Sequence, residues 1–260
     1  MNPLHLQENW TALRTIVTKE VLRFARIWVQ TLLPPMVTMA LYFIIFGGLI
    51  GSRIGEMDGI RYMDFIVPGL IMLAVITNSY SNVVSSFFSS KFQRHIEELL
   101  VSPVPNSLII LGFVGGGVAR GLAVGVGVTL VSLFFSPFSL HSLPVTLSVV
   151  VMTSVVFALA GLINGVFART FDDISIVPTF VLTPLTYLGG VFYSVSLLPD
   201  FWQGVSQLNP ILYMVNAFRY GLLGTTDLPL GLSYAIIIAF IVGLYLVALI
   251  LLNRGVGVRS

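Results

Sequence analysis

Six long apolar runs constrain this chain more than any other feature of its sequence. They cover approximately residues 30–50, 66–88, 108–135, 144–167, 174–193 and 231–252, and each has about the twenty residues that a helix needs to cross a hydrocarbon core of ~30 Å. Hydrophobic residues make up 56% of the chain and charged residues only 9%, whereas soluble proteins carry about 25% charged residues. The sequence therefore predicts an all-α integral membrane protein with six transmembrane helices.

The basic residues between these runs predict how the chain is oriented. Nine Lys or Arg residues lie in the N-terminal segment, residues 91–105, residues 168–173 and the C-terminal tail, while the opposite segments hold three. Because loops on the cytoplasmic side are enriched in Lys and Arg, this asymmetry predicts a multi-pass protein with both termini in the cytoplasm.

Charge and composition argue against several other classes of function. A formal charge of +2 is too small to indicate a nucleic-acid partner, and no basic patch with interleaved aromatic residues is present. The chain has no cysteine, which excludes disulfides and thiolate metal sites. His5, His95 and His141 are far apart in the sequence, so we expect no metal site.

Residues 1–29 are amphipathic and charged, and they lack the basic end and apolar core of a cleavable signal peptide. We therefore expect an interface helix that precedes a transmembrane domain of residues 30–260. A simple membrane anchor is the alternative interpretation. The apolar residues at helical spacing are Trp10, Leu13, Val17, Val21, Phe24 and Trp28.

A short charged island at residues 91–105 separates the second and third runs. The spacing predicts a helix over residues 91–101, which Pro103 and Pro105 end. A helix of this length does not persist alone in water, so it must pack against another surface. It is either a solvated loop helix or a helix that contacts another protein. Its apolar face is Phe92, Ile96, Leu99 and Leu100, and its polar face is Lys91, Arg94, His95, Glu97 and Glu98.

Two apolar runs carry uncharged polar residues at membrane depth. An unpaired polar group in hydrocarbon costs several kcal/mol, so these side chains need partners. They either line a substrate path or hold helices together. The candidates are Asn78, Tyr80 and Asn82 in the second run, and Thr183, Thr186 and Tyr187 in the fifth run.

The third run combines glycines with the only charge inside an apolar run. Gly117, Gly121 and Gly125 are spaced by four residues, which predicts a smooth ridge for close helix packing. Arg120 is either a functional intramembrane charge or a side chain that snorkels to the membrane surface. No G-x-x-x-x-G-K-[ST] motif occurs in the chain, so we expect it not to hydrolyse ATP itself.

Asp172 and Asp173 directly precede the fifth run, where carboxylates stabilise the N-terminus of a helix. Two adjacent carboxylates can also suggest an acid/base or metal pair. We favour capping and a protein contact over that chemistry.

Two stretches of the chain resemble the ABC-2 transporter family. In QRHIEELLVSPVP, the residues that match a family pattern after the second span are Arg94, Glu97, Glu98, Leu100, Ser102 and Pro103, although His95 and Ile96 depart from it. The second stretch, residues 198–224, is broken by Pro199, Gly204, Pro210 and Gly221. It is similar to the re-entrant helices that the family places between its fifth and sixth spans.

This resemblance implies a transport permease of the bacterial inner membrane. It would act as a homodimer in membrane lipid, with two copies of an ABC ATPase subunit that bind ATP and Mg²⁺, so the chain would have no cofactor of its own. Residues 91–101 would be the cytoplasmic coupling helix, and the interface helix would also contact the ATPase. The implied contact residues are Lys91, Arg94, His95, Glu97, Glu98, Asp172 and Asp173.

The resemblance implies an exporter but leaves its substrate open among drugs, lipids and lipid-linked glycans. Two other classes are weaker alternatives. A membrane-embedded transferase would need convergent acids, histidines or a metal site, which the pair Asp172 and Asp173 alone does not supply. An ion-coupled carrier would carry carboxylates within its spans, and these apolar runs have none.

Overall fold

The structure is a computed structural model that describes residues 3–57, 59–137 and 140–257, with side chains from Gln7 onward. Most of the described chain is α-helix, as the sequence predicts. Five helices are long and apolar enough to cross a membrane. They are Trp28–Ile54 (α2, Trp28–Tyr42, with a π-helical segment Phe43–Ile50 and α3, Gly51–Ile54), α4 (Tyr62–Phe92), α6 (Asn106–Ser132), α7 (Leu143–Phe167) and α12 (Leu230–Arg254).

The fifth apolar run is not among these five helices. It forms one continuous but irregular helix of α8 (Asp173–Val177), a π-helical segment (Pro178–Leu182) and α9 (Thr183–Tyr187). At 1.5 Å per residue it reaches only about 22 Å, less than the ~30 Å of a hydrocarbon core. Pro178 and Pro184 each remove a backbone donor from this helix, which accounts for its irregular hydrogen bonding.

The bundle has two ends that differ in their connections. At the end that we call the α5 end, α4 is joined to α6 by α5 (His95–Val101), and α1 (Pro3–Ala25) packs against α6. At the opposite end, a small antiparallel hairpin pairs β1 (Glu56–Met57) with β2 (Ile60–Arg61). Two short helices, α10 (Asp200–Gln207) and α11 (Pro210–Leu223), lie between α9 and α12, in the stretch where re-entrant helices are expected.

The core is built around α4, which is 78% buried over its most apolar stretch. It packs against α6 and α7. The glycine ridge of α6 makes this packing close, because Gly117, Gly121 and Gly125 lie against Val83, Ser79 and Val75 of α4 respectively. A Cβ atom at Gly121 would overlap the Ser79 hydroxyl, so the predicted ridge sets the distance between the two helices.

The buried face of the N-terminal helix shares only Phe24 with the predicted apolar stripe. The buried residues of α1 are Ile16, Glu20 and Phe24, whereas Trp10 and Trp28 are 66% and 62% exposed. The reason is the surface of α6, where glycines at positions 112 and 116 leave room for Ile16 and Glu20. The helix also ends at Ala25, before a turn at Arg26 and Ile27, rather than at residue 29.

The predicted helix over residues 91–101 is divided in two. Lys91 and Phe92 continue α4, and the chain then turns at Gln93 and Arg94 before α5 begins at His95. Arg94 adopts a left-handed backbone conformation with φ of 60°. This conformation cannot continue a right-handed helix, so α5 leaves α4 in a new direction.

Candidate functional site

The short helix α5 is docked on the bundle by one face and presents another. Ile96 is only 1% exposed and packs with residues of α6 and α7, and Leu99 and Leu100 are half-buried. His95, Glu98 and Val101 form the outward face, and Val101 is 87% exposed.

The other predicted contact residues of this segment point elsewhere. Lys91 donates two hydrogen bonds from Nζ, to the backbone oxygens of Val166 and Ala168 at 2.6 and 2.7 Å. These carbonyls belong to the C-terminal end of α7, so Lys91 ties α4 to α7. Arg94 and Glu97 line a cavity beside α5.

The two adjacent aspartates have different surroundings. The Asp173 carboxylate accepts hydrogen bonds from the backbone N–H groups of Arg169 and Thr170, and the Thr170 hydroxyl accepts one from the Asp173 amide. This reciprocal arrangement is a capping box. The backbone hydrogen bonds, first from Arg169 and then from Thr170, lower the pKa of the Asp173 carboxyl. Asp172 is exposed and makes no side-chain capping bond.

A second cavity, of about 520 Å³, separates α1 from α5. Its walls are largely apolar, with Ile16 on one side and Leu99 and Val104 on the other. The half-buried Leu99 of α5 thus faces α1 across this cavity at the α5 end of the bundle.

The predicted substrate-path residues divide into buried and exposed groups. Tyr80 and Asn82 are 0% exposed, and Asn78 and Thr186 are also buried. Thr183 and Tyr187 are exposed on the fifth-run helix. Only this second pair lies on the surface of the single protomer.

Asn82 belongs to a charge cluster between α1, α4 and α6. Arg23 Nη2 donates to the side-chain and backbone oxygens of Asn82 at 2.7 and 3.0 Å, and its Nε lies 3.3 Å from Glu20 Oε2. Glu20 is fully buried. Arg120 Nη2 donates to Asn78 Oδ1 at 3.3 Å, one turn before Asn82 on α4. We call these five residues the inner charge cluster.

Arg120 lies near the start of the first span in depth. It is seven residues before Gly127, which packs against Met36 of α2, so it lies about 10 Å closer to the α5 end, level with the beginning of α2. Three buried polar atoms of the inner charge cluster lack a hydrogen-bond partner among the described residues. These atoms are Glu20 Oε1, Asn82 Nδ2 and Arg120 Nε.

A second buried arginine lies at the opposite end. Arg219 of α11 is 2% exposed, donates from Nη2 to the Gly190 carbonyl at 2.7 Å, and places its guanidinium 4.0 Å from the centre of the Phe65 ring. Its Nη1 lies 3.5 Å from Asn216 Oδ1. We call these four residues the outer arginine cluster, and it joins α11 to the start of α4 and to the chain after α9.

Within the described residues, no group of three or more His, Asp or Glu side chains is placed to hold a metal ion.

Comparison with known proteins assigns the chain to a family. A model of the family described as ABC-2 type transporter matches residues 11–223. The chain belongs to the ABC-2 transporter family. It is 65% identical over 251 residues to the inner membrane transport permease YadH of Escherichia coli K12, covering 96% of this chain and 98% of that protein. It is also 24% identical over 247 residues to nodulation protein J of Rhizobium meliloti, covering 95% and 93% of the two chains.

For this ABC-2 permease, sequence reasoning missed the two residues that the structure buries most unexpectedly. Glu20 looks like a surface residue because Lys19 and Arg23 flank it, and its only sequence signal is the glycine run of α6, which makes room for it. Arg219 was counted as a loop charge on the opposite side of the membrane. Its signal was its place in the second family-like stretch.

Proposed function

We propose that this ABC-2 permease is the membrane subunit of an exporter that a separate ABC ATPase drives. The observation that carries the proposal is α5, which buries Ile96 in the bundle and presents His95, Glu98 and Val101 outward. A helix that is anchored in the bundle on one side and exposed on the other can transmit movement of a bound partner to the helices beneath it. Those helices are α4, α6 and α7.

The ATPase contact that we propose is broader than α5. The cavity between α1 and α5 offers an apolar recess beside α5. Asp172, one of the contact residues that the family resemblance implies, adds an exposed charge. Lys91 and Asp173 support this surface from within, because their side chains are engaged by backbone groups. ATP and Mg²⁺ would be bound by the partner and not by this chain.

We propose a homodimer with two ATPase subunits. Trp28–Ile54 and α12 are each only 17% buried over their most apolar stretches, and Phe180 on the fifth-run helix is 73% exposed. Lipid covers part of these surfaces, and a second protomer would cover the rest. Thr183 and Tyr187 are then the best-placed candidates to line a path between protomers, because they are exposed in the single chain.

The substrate that fits this proposal is hydrophobic or amphipathic, such as a drug, a lipid or a lipid-linked glycan. The support is the composition of the exposed fifth-run helix, where hydroxyl groups alternate with Phe180 and Val181. Purification in mild detergent, followed by screening compounds for stimulation of ATP hydrolysis, identifies the substrate class directly.

We propose that the α5 end faces the cytoplasm, in a bacterial inner membrane. Single cysteines at Ser52, Ser102 and Ser196 test this in the cysteine-free chain, and Ser260, outside the described residues, adds a fourth site. An impermeant thiol reagent should label positions 52 and 196 in intact cells and leave positions 102 and 260 unlabelled. Labelling at position 102 or 260 would contradict the orientation.

Reversal of the α5 charges tests the ATPase contact. Glu97→Lys with Glu98→Lys puts cations where the carboxylates would meet basic residues of the partner. Like charges at a partly desolvated contact cost several kcal/mol, which is a loss of more than about a hundredfold in affinity. The variant should insert and dimerise but fail to retain its ATPase during co-purification.

Glu56→Lys with Asp200→Lys is the matched control, since both residues are exposed and lie at the opposite end. This control should retain the ATPase. If the α5 variant retains its ATPase as well as the control does, α5 is an ordinary solvated helix and the proposed contact is wrong.

A further inference from the structure

A cavity of about 620 Å³ opens at the α5 end, on the side of α5 away from α1. The ends of α4 and α7, the start of α5 and the chain after α12 surround it. Its charged lining residues are three cations, Lys91, Arg94 and Arg169, and one acid, Glu97. The excess of positive charge makes the cavity suitable for an anion.

The cations in this cavity are only partly engaged by the protein. Lys91 uses two of its three N–H groups on the carbonyls of Val166 and Ala168, which fixes its position and leaves its third donor. The side chains of Arg94 and Arg169 form no hydrogen bond or ion pair among the described residues. Asp173 interacts electrostatically with Lys91 and Arg169 and offsets part of their charge. A fixed ammonium flanked by two guanidinium groups with free N–H donors can still bind the oxygens of a phosphate.

The rest of the lining is apolar and much of it is uncovered. Phe92 and Phe167 line the cavity and are 63% and 57% exposed, and Phe88 and Val166 form its buried wall. A small hydrophilic anion would leave these rings in water. An amphipathic anion would satisfy the cations with its headgroup and the rings with its chains.

The position of the cavity along the bundle fits such a ligand. Two membrane-spanning helices, α4 and α7, end at Phe92 and Phe167, which puts the cavity at the level where hydrocarbon meets headgroups. Basic pockets between transmembrane helices at this level bind anionic lipid headgroups. Arg94 is also the one non-glycine residue with positive φ among the described residues, and such conformations are enriched at ligand-binding positions.

We propose that this cavity binds the phosphate headgroup of an anionic membrane lipid. Arg94 and Arg169 contact the phosphate oxygens, Lys91 supplies its remaining donor, and the acyl chains lie along Phe92 and Phe167. The bound lipid would bridge α5 to the ends of α4 and α7, next to the surface where we place the ATPase. The inference does not depend on that ATPase contact.

The test compares lipid affinities of the purified full chain in a neutral detergent. Native mass spectrometry measures the bound fraction during titration with phosphatidylglycerol or with phosphatidylcholine of the same acyl chains. The unmodified chain should bind phosphatidylglycerol more tightly. Arg94→Gln with Arg169→Gln should weaken phosphatidylglycerol binding about tenfold or more, since each basic residue near an anionic headgroup contributes to binding, and should leave phosphatidylcholine binding unchanged.

Arg14→Gln with Arg26→Gln is the matched control, because it removes the same charge from exposed positions of the α5 end outside the cavity. It should bind phosphatidylglycerol like the unmodified chain. Arg94→Lys with Arg169→Lys keeps both charges and should retain most of the affinity. The single change Arg169→Gln, in an exposed turn, should weaken binding severalfold and serves if the double glutamine variant does not fold.

Four results would overturn the proposal. The first is equal affinity of the unmodified chain for the two lipids. The second is a loss of phosphatidylglycerol affinity in the Arg14 and Arg26 control that equals the loss in the double glutamine variant. The third is competition by inorganic phosphate that is strong enough to show a site for the free anion. The fourth is a double glutamine variant that binds phosphatidylglycerol normally but loses its ATPase, which would assign the cavity to the partner protein.

Discussion

Arg23 and Arg219 lie at opposite ends of the bundle, and their surroundings differ in kind. The Arg23 side chain keeps 33% exposure and bonds a fully buried carboxylate and an asparagine, Glu20 and Asn82. Arg219 is 2% exposed and bonds a backbone carbonyl while it lies over an aromatic ring.

The difference indicates two roles for buried charge in one permease. Groups that hold a backbone carbonyl and a ring have little freedom to rearrange, so the outer arginine cluster fixes α11 on α4. A buried carboxylate gains from its ion pair but loses its hydration, and the two contributions nearly cancel. The inner charge cluster therefore contributes little net stability, and its bonds can be exchanged when α1 moves against α4.

The largest effect is expected from Arg219→Met. The change removes a charged hydrogen bond and a cation–π contact, and it leaves the Gly190 carbonyl unpaired inside the bundle. We expect the free energy of unfolding to fall by about 3 kcal/mol, measured as thermal stability in detergent. Arg53→Met is the control at the same end, where an exposed arginine should change stability by no more than about 0.5 kcal/mol. Equal stability of the two variants would remove the distinction between the clusters.

The second largest effect is a difference in stability between single and double substitutions in the inner charge cluster. Glu20→Met alone leaves Arg23 without its carboxylate, and we expect a loss of about 2 kcal/mol, less than for a fully buried pair because Arg23 reaches solvent. Adding Arg23→Met should recover most of that loss, since two apolar side chains replace two desolvated charges. The measurements are thermal stability in detergent and the stimulation of ATP hydrolysis by substrate.

If the Glu20→Met and Arg23→Met double variant is stable but its ATP hydrolysis no longer responds to substrate, the cluster serves coupling. Strictly additive losses of stability in the two single variants and the double variant would contradict the interpretation. They would show that each charge stabilises the fold by itself.

A smaller effect is expected from Lys91→Met. Lys91, like Arg219, donates to backbone carbonyls, but it is only partly buried, and water can replace part of its contribution. We expect a loss of about 1 kcal/mol in the free energy of unfolding, with faster amide exchange at the end of α7. Lys19→Met, an exposed lysine on α1, is the control and should leave both quantities unchanged.

The smallest effect is expected at Asp173, a half-buried residue at the same end. Because its pKa is lowered in the folded chain, Asp173 adds stability above the ordinary pKa of an aspartate, about 3.9. This contribution is lost as the pH falls through the lowered value. Asp173→Asn should speed amide exchange at Arg169 and Thr170 at neutral pH, and the stability difference from the unmodified chain should vanish in acid. Asp172→Asn is the control and should show neither change.

The sequence predicted the helices whose identity depends on local pattern. Apolar length is a local property, and five of the six runs form helices long enough to span. The glycine spacing of the third run predicted a ridge for close helix packing, because small residues on one helix face act in the same way whatever their partner. The structure identifies α4 as the helix that packs against this ridge. The fifth run has the required length, but its prolines shorten and distort the helix.

The burial of single charges could not be predicted in this way. Glu20 is buried because residue 116, nearly a hundred positions away, is a glycine, and Arg219 is buried because Phe65 and Gly190 meet around it. No local sequence pattern encodes these contacts between distant residues. The break at Arg94 was missed for a related reason, since a change of backbone conformation at one non-glycine residue has no periodic signature.

The two π-helical segments have a consequence for how the proposed protomers can meet. Phe43–Ile50 lies in the first span and Pro178–Leu182 in the fifth-run helix, and both stretches expose large apolar side chains. A π-helical turn holds one more residue than an α-helical turn, so its migration along a helix rotates the side chains it passes by about 100°. Each stretch can thus present two alternative rows of side chains to a neighbour while its backbone stays hydrogen-bonded, because the exposed face shifts by one residue.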